Sequence, residues 1–91
     1  VSDTLHVVVS GRVQGVGFRY AARAEAVRLG LTGWVRNRPD GKVEACFEGP
    51  KDRLDQMLAW CGTGPAWSEI AEVCHEWHCG GAEHETFEIR R

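Results

Sequence analysis

A chain of 91 residues, 43% hydrophobic and 26% charged, is long enough to bury one core and too short to divide into two domains. That balance excludes disordered and fibrous classes. No apolar run approaches the roughly 20 residues that cross a bilayer, and no charged start precedes an apolar signal segment, so a cytoplasmic protein without a membrane partner is expected. The net charge of −2 conceals an uneven distribution: residues 11–38 hold six arginines and one acid, Glu25, a local balance of +5. Such a segment suits an anionic ligand, although Arg23 and Arg28 on their own read as a solvated helix face. Cys46, Cys61, Cys74 and Cys79 show neither a C-x2-C pair nor zinc-finger spacing, so no metal is expected and the thiols read as buried or idle.

The first strand is predicted over Leu5–Val13, where valines give way to a glycine-dense segment. Tyr20, Ala24 and Val27 then recur at helical spacing, with Arg23, Glu25 and Arg28 on other faces. This predicts a helix over 19–29 with Gly30 as a left-handed cap. Trp34 and Val35 lead into a hairpin turn at Asp40-Gly41, and Val43, Ala45 and Phe47 alternate in the returning strand. Pro50 opens a second helix on the stripe Leu54, Met57, Leu58 and Cys61, and Gly62, Gly64 and Pro65 stop it. A further strand sets Ala71, Val73, His75 and Trp77 on one face and Ile70, Glu72, Cys74 and Glu76 on the other. A short last strand covers Thr86–Arg90. The order is β-α-β-β-α-β plus a strand. Right-handed crossovers place both helices on one side of an antiparallel sheet of four to five strands, a ferredoxin-like α+β sandwich in one domain over residues 1–91.

That fold hosts many functions, so chemistry has to come from a site. Gly11-Arg12-Val13-Gln14-Gly15-Val16-Gly17-Phe18-Arg19 joins a strand end to a helix start. Glycines there let successive N–H groups converge on an anion, reinforced by the positive end of the helix. Arg19 supplies a planar guanidinium matched to two phosphoryl oxygens. The segment is neither a Walker loop nor a dinucleotide fingerprint. Asn37, at the far end of the second strand, offers an amide that can hold a water, or is ordinary turn chemistry. His6, His75, His78 and His84 fall outside the cradle and read as strand or turn residues. The four tryptophans, Trp34, Trp60, Trp67 and Trp77, read as core or rim packing, with Trp60 partly exposed.

The glycine-rich run, with Leu29-Gly30-Leu31, Gly33-Trp34-Val35-Arg36-Asn37, Asp40-Gly41, Val43-Glu44, Phe47-Glu48-Gly49 and the closing Phe87-Glu88-Ile89-Arg90, closely resembles the acylphosphatase family. The resemblance implies hydrolysis of acyl phosphates to a carboxylate and inorganic phosphate. It places the backbone cradle at Val13, Gln14, Gly15, Val16, Gly17 and Phe18, the phosphate-binding guanidinium at Arg19 and the water-orienting amide at Asn37. No cofactor, metal or nucleic acid is implied, and a monomer is expected. Thr63–Ser68 and Cys46 depart from the family's commoner residues. The alternatives are a non-catalytic anion-binding module and the acylphosphatase-like part of a larger carbamoyl-transfer maturation enzyme. A nucleic-acid-binding module of this fold fits poorly, because the third strand presents Glu44 and Glu48.

Overall fold

The computed structural model describes residues 3–66, 68–80 and 84–90. The elements are β1 (Asp3–Arg12), α1 (Phe18–Arg28), β2 (Thr32–Asn37), β3 (Val43–Gly49), α2 (Lys51–Thr63), β4 (Glu69–Cys79) and β5 (Phe87–Arg90). They form one five-stranded sheet in the order β4-β1-β3-β2-β5, with both helices on one face, as a ferredoxin-like sandwich requires. One part of the sequence expectation is corrected. The sheet is mixed, because β5 lies parallel to β2, with Gly33 opposite Phe87 and Arg36 opposite Arg90. The chain crosses from β4 at one edge to reach β2 at the other, and that crossing sets the direction in which β5 enters.

Alternation along the strands sends Leu5, Val7, Val9, Val35, Val43, Ala45 and Phe47 under the helices, all of them buried. Phe47 stacks on Phe87 at 5.5 Å between ring centroids, which ties the edge strand to the core. Full burial of a side chain of this size contributes about 1.5–3 kcal/mol. The α2 stripe packs much as its periodicity predicts: Leu54, Met57 and Cys61 are buried and Leu58 partly so. Burial pushes the Cys61 thiol up to about 12, whereas Cys74 and Cys79 are exposed free thiols. Trp60 is half-buried against Phe18, 5.4 Å between centroids. Trp77 carries the Lys51 ammonium 4.2 Å above its ring. Trp67 lies outside the described residues.

Two faces differ from the sequence reading. In β4 the register to β1 shifts between Ser10 and Gly11, pairing Ser10 with Glu72 and Gly11 with Ile70. Ala71 is the extra residue of a bulge, so Ile70 joins Val73 and Trp77 against the core instead of facing away from them. In α1 the buried face is Phe18, Ala22 and Ala26. Tyr20 and Val27, the expected apolar stripe, are 66% and 59% exposed. Two alanines let the helix axis approach the sheet more closely than larger side chains permit, and closeness wins over side-chain size here. Gly30 caps α1 as expected: its own N–H donates to Val27 and that of Leu31 to Ala26, at 3.0 and 2.8 Å.

The sheet face away from the helices carries a charged cluster. Glu44 accepts hydrogen bonds from His6 at 2.6 Å and Arg36 at 2.8 Å. Burial alone would raise the Glu44 carboxyl, but the hydrogen bonds from His6 and Arg36 outweigh it and hold the group below its ordinary value. A carboxyl depressed in this way stabilises the fold above its ordinary range, and that stability is lost as acid carries the pH down through the lowered value. Glu44→Gln is therefore expected to cost about 1–2 kcal/mol at neutral pH. The gap to the parent should narrow in urea unfolding at about pH 3, and a gap independent of pH would contradict the assignment.

Candidate active site

The end of β1, the start of α1 and the end of β2 meet at one end of the sheet. Val13 is buried beneath the connecting loop, and its N–H donates to the Gly11 carbonyl at 3.1 Å. The next backbone donor toward the helix is Ala21, whose N–H reaches the Gly17 carbonyl at 3.0 Å. Among the described residues, no backbone carbonyl accepts from the N–H groups between these two. The loop thus presents a run of unspent donors, Gln14 to Phe18, followed by those of the first helical turn.

Gly15 and Gly17 turn the loop at φ +75° and +78°. This left-handed conformation costs an L side chain about 1–2 kcal/mol. Gly17 is the N-cap of α1 and makes no side-chain cap, and the first turn holds no acid. The positive helix end is therefore not neutralised by a side chain of its own first turn. A Cβ at Gly17 would meet nothing within 4 Å, so Gly17→Ala should fold. It is expected to weaken inorganic phosphate binding several-fold through the strained turn, measurable by calorimetric titration.

Gln14 contributes more than its backbone. Its Nε2 donates to the carbonyls of Arg38 at 2.7 Å and Lys42 at 2.8 Å, which flank the β2–β3 turn directly after Asn37. That turn closes through Arg38 N–H to Lys42 at 2.8 Å, with Asp40 accepting from the Lys42 N–H at 3.1 Å. One side chain thus holds the loop against the end of β2, a role that nothing in the local sequence announces.

Arg19 lies in the first turn of α1, half-exposed, and its Nη1 donates to the Arg90 carbonyl at 3.4 Å. Because Arg90 is paired with Arg36 in β2, Arg19 is drawn to the same sheet end that carries Asn37. The Asn37 Oδ1 is buried and has no hydrogen-bond donor among the described residues. A buried carbonyl oxygen without a donor costs about 1–3 kcal/mol and is uncommon in folded proteins. Val16 and Phe18 anchor the loop, Phe18 fully in the core and Val16 partly buried against it. Of the histidines, His6 engages Glu44, and His84 lies 3.1 Å from the buried Glu48; neither lies on the cradle loop.

An α+β sandwich that brings a donor-rich strand-to-helix loop, an arginine in the first helical turn and, among the described residues, an amide oxygen without a donor to one sheet end has the features of an anion-binding domain. Comparison with known proteins gives the family. The acylphosphatase family model matches residues 5–89. The acylphosphatase of Trichormus variabilis is 55% identical over 73 residues, 80% of this chain and 72% of that protein. That of Pelotomaculum thermopropionicum is 48% identical over 84 residues, 92% of this chain and 91% of the relative. The crystal structure of the acylphosphatase from Bacillus subtilis superposes with a TM-score of 0.94 at 36% identity, covering 98% of this chain and 99% of that one. The chain belongs to the acylphosphatase family and is an enzyme that hydrolyses acyl phosphates.

Proposed function

We propose that the chain cleaves acyl phosphates at phosphorus by direct in-line attack of water, with no covalent enzyme intermediate and no metal ion. The backbone N–H groups of Gln14–Phe18 and the Arg19 guanidinium hold the phosphoryl oxygens, while Val13, whose own N–H is spent on Gly11, anchors the start of the loop. Asn37 accepts a hydrogen bond from the attacking water and aligns it behind phosphorus. As the water oxygen bonds to phosphorus, the bond from phosphorus to the acyl oxygen breaks and the carboxylate departs. The water's proton passes to a phosphoryl oxygen of the substrate itself.

An acyl phosphate is a mixed anhydride with a carboxylate leaving group, so the reaction asks little of a general acid. It asks mainly for positioning and charge neutralisation. The single observation that carries the reading is the buried Oδ1 of Asn37, without a donor among the described residues and tied through Gln14 to the loop of unspent N–H groups. A water placed there satisfies the amide oxygen and stands beside the cradle at once. The loop holds no serine or cysteine between Gly11 and Arg19, which agrees with attack by water and not by the protein.

The test is steady-state hydrolysis of benzoyl phosphate, followed by loss of ultraviolet absorbance, in the presence of a chelator. Metal-free turnover with a single phosphorus–oxygen cleavage, read as incorporation of labelled water oxygen into phosphate and none into benzoate, is expected. Label in the benzoate would place the attack at carbon and overturn the route. We further propose that the enzyme acts in the cytoplasm as a monomer, needs no cofactor and recruits neither nucleic acid nor membrane. The apolar surface left exposed on α1 is confined to Tyr20 and Val27 among large side chains, which is little for a stable dimer.

A further inference from the structure

Arg19 and Arg23 stand one turn apart on helix α1, and in the proposed site the phosphoryl group engages only Arg19. Arg23 stands four residues beyond Arg19, is exposed, and meets no carboxylate among the described residues. Beside it, between α1 and the edge strand β5, lies an open cavity of about 470 Å³ lined by Tyr20, Arg23, Phe87, Glu88 and Ile89. The helix, rotated to bury its alanines, leaves Tyr20 66% exposed on the wall of this groove. The groove adjoins the phosphoryl site, because Arg19 precedes Tyr20 and is bonded to the carbonyl of Arg90, the residue after Ile89. Glu88, the acid of the lining, has its carboxylate 3.5 Å from Arg90 Nε. Arg90 in turn lies 5.2 Å over the Trp34 ring on the far sheet face, so Arg23 sets the charge of the groove.

We propose that this groove is the acyl subsite, and that Arg23 and Tyr20 select acyl phosphates whose acyl chain ends in a carboxylate. The proposal rests on the placement of the phosphoryl group at the loop and Arg19. Side chains four apart on a helix stand about 5–6 Å apart at Cβ, a spacing that an acyl chain of a few carbons bridges. With the phosphoryl group on Arg19, a terminal carboxylate meets the fork of Arg23, a pairing of matched planar geometry. The Tyr20 ring covers the intervening methylenes. A volume of this order belongs to small-molecule sites and leaves room for such a chain.

The experiment compares kcat/KM for succinyl phosphate and butyryl phosphate, equal in carbon number and different in the terminal carboxylate. The parent enzyme is expected to favour succinyl phosphate about tenfold, with the preference shrinking in 1 M salt as screening rises. Arg23→Gln should bring the ratio near one, and circular dichroism should show an intact fold, since Arg23 is exposed. Arg53→Gln, the same charge change on α2, should leave the ratio as in the parent. A parent ratio near one, or a preference that survives Arg23→Gln, overturns the acyl subsite. Undiminished turnover of both substrates by Arg19→Ala would instead overturn the phosphoryl placement beneath it, so the two failures are distinguishable.

Discussion

Arg19→Ala is expected to lower kcat/KM for benzoyl phosphate by about 10²–10³-fold or more, the loss seen when one pre-positioned donor to a developing oxyanion is removed. The fold should stay intact. The side chain is half-exposed, its hydrogen bond to the Arg90 carbonyl is long at 3.4 Å, and surface substitutions of this kind usually change stability by about 0.5 kcal/mol or less. Arg19→Lys is the sharper probe. It keeps the charge but replaces a planar fork by a single strongly hydrated ammonium, which cannot meet two phosphoryl oxygens together. It should therefore remain well below the parent in rate and in phosphate affinity. A lysine variant with near-parent kcat and phosphate affinity would show that Arg19 acts as a diffuse charge and not as a two-pronged ligand.

Asn37→Ala is expected to lower kcat by about 10²-fold, within the range that correct positioning of a reactant supplies, while inorganic phosphate binds within a few-fold of the parent. The split follows from the site's construction. In the proposed site phosphate is held by the loop and Arg19, and Asn37 touches the water instead. Stability should scarcely suffer, because the substitution removes a buried oxygen that has no donor among the described residues and so relieves a desolvation cost. Asn37→Asp separates alignment from charge: it keeps the shape and the acceptor but sets a carboxylate near the bound anion, and should weaken phosphate binding as alanine does not. Loss of phosphate binding with normal turnover in Asn37→Ala would sink the water role.

These two residues illustrate how activity and stability diverge in the domain. The buried Asn37 oxygen has no donor among the described residues, a free-energy cost that the water of the proposed mechanism would offset. Glu44 is the contrast. Its carboxylate is engaged by His6 and Arg36 within the protein, and it contributes to the pH dependence of stability and not to the site.

Much of this protein was legible in its sequence, and the parts that were share a local cause. The glycine spacing at Gly15 and Gly17 reports a backbone that must turn left-handed, Asp40-Gly41 reports a hairpin, and the α2 stripe reports its buried face. In each case neighbouring residues alone decide the conformation. The residues resembling acylphosphatase led to the family that the comparisons established. Tertiary structure decided the rest. The parallel entry of β5 follows from which sheet edge was open, the bulge at Ala71 from register against β1, and the rotation of α1 onto Ala22 and Ala26 from how closely a helix can approach the sheet. Tyr20, Ala24 and Val27 satisfy helical periodicity as well as the buried set does, so only packing distance separates them. Nor does the letter Asn at position 37 carry the burial of its oxygen without a donor among the described residues, which arises where β2 ends against a loop that Gln14 fastens to the turn from a distance of 24 residues.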